Sequence, residues 1–347
     1  MRSRARQAGD ELIDSDYARA VRYNRTIADA VQTGAIMVTD NMRQTSVNWP
    51  DIDVSKWAET KRGLHLYAQM LGKVKLVLAP LRPNWIFAAL YLTPRGITTG
   101  TIPWRGSSLD IELDVFKGRI VVSRSNGVCA VVPLLPVRTV AEVYHDLTKA
   151  LEKIGVPCTI TPIPQEVPDT TPLPEDQTPC PYDADAAVRW FHAATVAWDV
   201  FDEWRSGFFG RAGLQLWWGA FDLSLMLFSG RKVQAPTDRG YLMKYDLDAE
   251  LLNVGLYFGD QQNAPFFYGY IHPEPKGSES LQVAPEQASW STTFREWVLP
   301  YDIVRASPAP AATLTAFLDS IYDVCVTNAG WNRDDYTYVA PKPPRFC

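Results

Sequence analysis

Along residues 109–116 the chain reads LDIELDVF, acids and apolar side chains in strict alternation. A two-residue period places Asp110, Glu112 and Asp114 on one face of a strand and Ile111, Leu113 and Val115 on the other. The FKGR and SNG that follow supply turn chemistry. AFDLSLML at 220–227 alternates in the same way, setting Phe221, Leu223, Leu225 and Leu227 toward a core and turning Asp222, Ser224 and Met226 away from it. Helical periods appear elsewhere, in SKWAETKRGLHLYAQMLGK, TVAEVYHDLTKALEKIG, DADAAVRWFHAATVAWDVFDEWRSGFFGR and ATLTAFLDSIYDVCVTNAGW. SDYARAVRYNRTIADAVQTG predicts a further helix near the N-terminus, capped by Asp14 or Ser15 and ended by Gly34.

The order of these elements repeats. A first block runs helix, VKLVLAP, NWIFAALYLTPRG and LDIELDVFKGRIVVSRSNG as strands, then a closing helix. The second runs helix, GLQLWWG, FDLSLMLFSGR, APFFYGYIHPEP and EWVLPYD, then a closing helix. Gly72-Lys73 matches Gly210-Arg211, the LTPR ending at Arg95 matches the FSGR ending at Arg231, and each closing helix starts at a threonine and stops at glycine, Gly155 or Gly330. The expected class is therefore α+β: two similar tandem units, each an antiparallel sheet flanked by helices, related by a pseudo-twofold internal duplication. The division expected is an N-terminal extension with one helix (1–45), a first unit (46–160), a proline-rich connector (161–184), a second unit (185–331) and a proline-rich tail (332–347).

Bulk properties narrow the field. A chain of 347 residues, 46% hydrophobic, buries a core without staples. A net charge of −5 without blocks of like charge indicates neither nucleic acid nor an anionic membrane as partner. Five scattered cysteines without a CxxC pair fit reduced thiols better than a disulfide frame or a zinc knuckle, and the start MRSRARQAGDELIDSD lacks the apolar stretch of a secretory signal. No apolar run reaches bilayer length. The expectation is a cytoplasmic protein.

LHLYAQMLGKVKLVLAP, NWIFAALYLTPRGITTGTIPW, WGAFDLSLMLFSGR, YIHPEP and VLPYDIVR, in that order, resemble a family of uncharacterised, mostly bacterial proteins, domain of unknown function 5996, over roughly residues 47–333. The resemblance implies no reaction, cofactor or substrate. Its pattern often carries a histidine shortly before the WG-x-FDL motif and another in a Ser-His-Glu stretch. Gln215 and Ala249 stand at those positions here, with Glu250 retained.

Candidate chemistry follows from residue types. The four histidines form neither HxH nor HExxH, and the single Glu142-x-x-His145 lacks the second copy that a di-iron bundle needs, so no metal is expected. GxSxG elbows and Gly-rich phosphate loops are absent, and no cofactor is expected. His65 reads either as a general base or as a hydrogen-bonded core histidine, with Glu203 in the matching register of the second unit. Lys73 and Arg211, and Arg95 and Arg231, would face a groove between the units. There they would present cations to an anion beside the hydroxyls of Thr98, Thr99 and Thr101, or else solvate strand ends. Asp222, Glu250 and Glu274 would be ordinary surface carboxylates or acid–base groups raised in pKa by aromatic surroundings. Trp85, Trp104, Trp217, Trp218, Trp297, Tyr268 and Tyr270 serve either a core or a pocket for a flat or apolar ligand, with Gln215 beside them.

Two functions remain open at this point. One is binding of a small organic or anionic molecule in an aromatic-lined cleft, extending to cofactor-independent acid–base chemistry by His65, Asp222, Glu203 or Glu250. The other is a non-catalytic scaffold whose groove holds a peptide or a second copy of the chain in a homodimer.

Overall fold

The computed structural model describes residues 48–235 and 246–338. The helix expected around residues 15–34 and the end of the proline-rich tail lie outside the described residues. From Trp49 onward the chain packs around one main apolar core.

The first half opens with helix α1 (Ala58–Leu78), followed by strands β1 (Tyr91–Thr93), β2 (Gly96–Thr98), β3 (Ile102–Trp104), β4 (Ser107–Asp114), β5 (Arg119–Arg124) and β6 (Cys129–Pro133). These form an antiparallel sheet in the order β1-β2-β4-β5-β6, with β3 pairing β4. In β4 the apolar Ile111, Leu113 and the following Val115 are fully enclosed on the side of α1, and the acids Glu112 and Asp114 of the other face are buried as well, so the sequence alternation is not one of exposure. A short β7 (Arg138–Thr139) leads into α2 (Val140–Lys153). Thr139 and Glu142 close a capping box there, the threonine hydroxyl accepting from the Glu142 amide at 3.2 Å and the Glu142 carboxylate accepting from the Thr139 amide at 2.8 Å. Thr139→Ala removes one half of that exchange, and chemical denaturation should read a loss of about 1 kcal/mol.

In the second half, β8 (Pro179–Cys180) pairs with β7, and α3 (Ala184–Arg205) is capped by Asp183. Then come β9 (Arg211–Trp217), β10 (Asp222–Lys232), β11 (Ala249–Tyr257), β12 (Phe266–His272), β13 (Ser289–Ser291) and β14 (Glu296–Pro300). They form a second antiparallel sheet ordered β13-β14-β12-β11-β10-β9. Helices α4 (Tyr301–Ala306), α5 (Pro310–Asn328) and α6 (Arg333–Tyr336) complete the chain, and α3 and α5 pack on one face of this sheet. The two sheets touch edge to edge where Leu90 and Leu216 exchange backbone hydrogen bonds of 2.9 and 2.8 Å.

The α+β class with helix-flanked antiparallel sheets stands as expected. Three local expectations do not. VKLVL continues α1 as helix and is no strand, because Leu66, Met70, Leu71 and Val74 recur at helical spacing and bury one continuous stripe, which outweighs the β preference of two valines. The start of NWIFAALYLTPRG is a distorted turn of 3-10 helix over Pro83–Ala88, with only its end in β1. The last closing helix begins at Pro310, before its threonine, with no side-chain cap.

Candidate functional site

Strands β9 and β10 form a hairpin in which Trp217 pairs with Asp222, so WGAF at 218–221 is its connection. Phe221 takes a left-handed backbone (φ 56°), an unfavourable conformation for a bulky residue. Its fully buried ring is held between the rings of His65 and Trp190, with centroids 5.1 and 5.0 Å away. That turn sends Phe221 into the main core and Asp222 to the opposite face. There Asp222, Ser224 and Met226 are buried as well, so the second face of β10 is not a solvent face.

The second face borders a cavity of about 430 Å³. Trp217, Trp218, Asp222, Met226, Asn253, Tyr257, Phe266, Tyr268, Tyr270 and Glu296 reach it from the sheet and its turns. Leu76, Trp85 and Ala88 reach it from the end of α1 and the 3-10 segment, and Gln165 and Glu166 from the stretch before β8. At the floor the Tyr268 hydroxyl donates to Asp222 Oδ2. The ring crosses the intervening strand at Gly255, where a Cβ would come within 2.3 Å of it, so the missing side chain is what lets the two meet. Alongside, Ser224 Oγ donates to Asn253 Oδ1 (2.7 Å), and Asn253 Nδ2 donates to the Tyr270 oxygen (3.0 Å).

Opposite the sheet, Gln69 on α1 clamps the stretch before β8. Its side-chain amide donates to the Gln165 carbonyl (2.7 Å), and its oxygen accepts from the Gln165 amide (2.8 Å). Glu166 follows with φ 55°, and Trp85 stands at φ 51°. Two non-glycine residues held in left-handed backbone at one cavity are strain of the kind that persists where surrounding structure enforces it, often at binding sites.

Burial pushes the Asp222 carboxyl up to about 7 against the opposing effect of the Tyr268 hydroxyl, and the charge of Glu166 adds to the rise. Asp246 is likewise raised to about 7, by burial first and then by Asp248 and Glu166, and its Oδ1 is shut off from solvent without a hydrogen-bond partner. Glu296 rises to about 8 through burial and the Asp222 charge. Glu166 moves upward through burial. Asp260 differs: burial raises it, but the Tyr257 hydroxyl and the amides of Gln262 and Asn263 outweigh that and hold it below the ordinary range. The phenols of Tyr257, Tyr268 and Tyr270 are all raised by burial and stay neutral.

Of the residues singled out by sequence, Trp85, Trp217, Trp218, Asp222, Tyr268 and Tyr270 meet at this cavity. His65 lies behind its wall, with Nε2 donating to the carbonyls of Gly219 (2.8 Å) and Trp218 (3.1 Å). Burial first, then the charge of Lys61, depresses its pKa to about 4, so the ring is neutral and pins the hairpin turn. Gln215 is buried on β9 with Nε2 unpartnered.

The cations are dispersed. Lys73 donates to the Ile163 carbonyl (2.9 Å), and Arg211 donates to Asn84 Oδ1 at 2.5 Å, its guanidinium over the Phe228 ring. Arg95 pairs with Glu112 and Arg231 with Glu250, both at 2.5 Å. Thr98 donates to Asp110, and Thr99 donates to the Gly100 carbonyl (2.9 Å) and to Asp110 (3.3 Å). Glu274 pairs with Arg295 (2.6 Å), and Glu203 is exposed on α3. Glu166, Asp246, Asn253, Tyr257 and Glu296 went unremarked in the sequence. Only the turn-rich setting of Glu296, in SWSTTFREW, offered a signal for any of them.

A model of the family of unknown function DUF5996 matches residues 49–338. The chain belongs to that family. No curated protein and no solved structure matches it. The DUF5996 match takes in both sheets, the cavity and every described element from α1 to α6. Gln215 pairs in register with Ser224, one step from Asp222 on the cavity side of the sheet.

Proposed function

We propose that the protein binds a small organic molecule in this cavity, and that the Asp222–Tyr268 pair exchanges a proton with it. The observation that carries this reading is a buried carboxylate joined to a phenol on the floor of a concave hollow walled by aromatic and other apolar side chains. At about 430 Å³ it is of the size that small-molecule sites have. A carboxyl raised to about 7 is divided between its two protonation states near neutrality, which suits it to accept or return a proton. Acid–base action here needs no group beyond the chain's own side chains. A concave hollow also favours a small ligand over a docked peptide or second copy, which would need a broad exposed apolar patch.

The test is a metabolite screen by thermal shift on the full-length protein, repeated with Tyr268→Phe. A compound that raises the melting temperature of the unaltered chain should bind Tyr268→Phe about tenfold more weakly, since the carboxylate loses its donor. Hits that bind both proteins equally place the site elsewhere.

The halves are proposed to be copies of one unit: both run helix, antiparallel meander, helix, and a strand-end arginine salt-bridged to a glutamate on another strand of the same sheet recurs as Arg95–Glu112 and Arg231–Glu250. A cytoplasmic setting is supported by Cys129, Cys158, Cys180 and Cys325, all free thiols. Among the described residues no helix is long and apolar enough to cross a membrane.

A further inference from the structure

The charged side chains lining the cavity are all acids. Glu166, Asp222, Asp246, Asp260 and Glu296 contribute, and no lysine, arginine or histidine does among the described residues. Among the described residues none of the five is in a salt bridge; Asp260 is held by the hydroxyl of Tyr257 and the amides of Gln262 and Asn263, while Asp246 Oδ1 has no hydrogen-bond partner. Enclosing several carboxyls together is costly unless something neutralises them, by protonation or by a counter-charge. Among the described residues the nearby basic groups are engaged elsewhere, Lys73 by the Ile163 carbonyl, Arg211 by Asn84 and Lys61 over the Phe221 ring, and none of the three lines the hollow.

We infer that the molecule this cavity receives is an organic cation, drawn in by the acidic lining that Asp222, Asp246, Glu166 and Glu296 give the hollow, with its apolar body against the tryptophan and tyrosine rings. This rests on the small-molecule reading above and names its ligand class. Aromatic faces attract an ammonium through their quadrupole, and Trp217 and Tyr268 add that to the carboxylates, the Trp218 ring already having the Lys73 ammonium 5.5 Å from its centroid. A metal ion fits less well: among the described residues no three acidic, histidine or cysteine side chains lie close enough to hold one. A phosphate or carboxylate would meet only like charge. Because Asp222, Asp246 and Glu296 carry raised pKa values, part of the lining is protonated near neutrality, and a bound cation displaces those protons. Affinity for an amine therefore climbs with pH until the amine itself deprotonates.

The experiment is calorimetric titration of the full-length protein with matched triples of equal shape: phenethylamine, phenylethanol and phenylpropionate; tryptamine, tryptophol and indolepropionate; hexylamine, hexanol and heptanoate. At least one amine should bind about tenfold or more tightly than its alcohol and acid. Its affinity should rise severalfold from about pH 6 to about pH 8.5, and Asp246→Asn and Glu296→Gln, checked for an unchanged fold by circular dichroism, should each weaken it about tenfold. An alcohol or acid that matches or exceeds its amine overturns the charge selection while leaving the cavity a small-molecule site. Binding of magnesium or calcium in place of every amine overturns it too. If no member of any triple binds at millimolar concentration, both readings fall.

Discussion

The stability of Asp222→Asn, measured relative to the unaltered chain, should climb by about 2–3 kcal/mol between pH 5 and pH 8. The sign follows from where the proton sits. Burial raises the folded-state pKa of Asp222 to about 7, above its ordinary 3.8, so at pH 5 the folded chain holds a proton that the unfolded chain has already lost. The resulting stabilisation is complete below the unfolded pKa and is lost as pH rises through 7. Asparagine has no proton to lose, so the variant escapes that loss. His65, depressed to about 4, has the opposite slope below pH 6.5, but it is present in both proteins and cancels in the difference. Lys61, Lys73 and Lys75, each lowered to about 8 by burial, act above the window, where their deprotonation adds stability with rising pH. Urea denaturation of both proteins at several pH values reads the effect. A difference that stays flat from pH 5 to 8 would show that Asp222 titrates like an exposed carboxylate, and the proton-exchange role would go with it.

Gly255→Ala should cost about 3 kcal/mol and abolish binding at the cavity. The added Cβ would lie 2.3 Å from the Leu223 carbonyl oxygen and 2.3 Å from the Tyr268 ring, closer than real contacts allow. Since β11 is the strand between β10 and β12, the backbone can relieve the clash only by opening a ladder on one side. Tyr268 must swing off Asp222 as well, leaving a buried carboxylate without its donor. The double variant Gly255→Ala, Tyr268→Ala should recover part of the stability, because the ring clash vanishes while the carbonyl clash stays, and should recover none of the binding. A loss under about 0.5 kcal/mol in the single variant would mean that the strand yields freely there and that Gly255 is not what positions the phenol.

Strand β11 shows how a central element escapes reading. AELLNVGLY is buried along nearly its whole length, since one face meets the helices and the other the cavity, so it carries no two-residue period to detect. By contrast β4 and β10 announced themselves, because acids or a serine interrupt their apolar positions at alternate steps. The alternation at Asp222 was correct as geometry and misleading as environment: a polar side chain turned from the main core met an enclosed second surface, not water. Arg95 and Arg231 were visible as recurrent strand-end cations, yet Glu112 and Glu250, each on another strand of the same sheet, are what occupy them. Glu166 sits in a proline-rich stretch that reads as a spacer, and it acquires a role only because Gln69, on a helix nearly a hundred residues earlier, ties that stretch down.

Local patterning therefore determined the long helices, the threonine that caps α2, the alternating strands β4 and β10, the α+β class and the family, because each depends on side-chain spacing within short stretches of chain. Which carboxyls share a hollow, which arginines are already spoken for, and that the ring of Tyr268 passes over Gly255 to reach Asp222 were decided by tertiary structure alone. Those relations join residues tens to more than a hundred positions apart. Electrostatic and steric energies depend on separation in space, which no window along the chain contains.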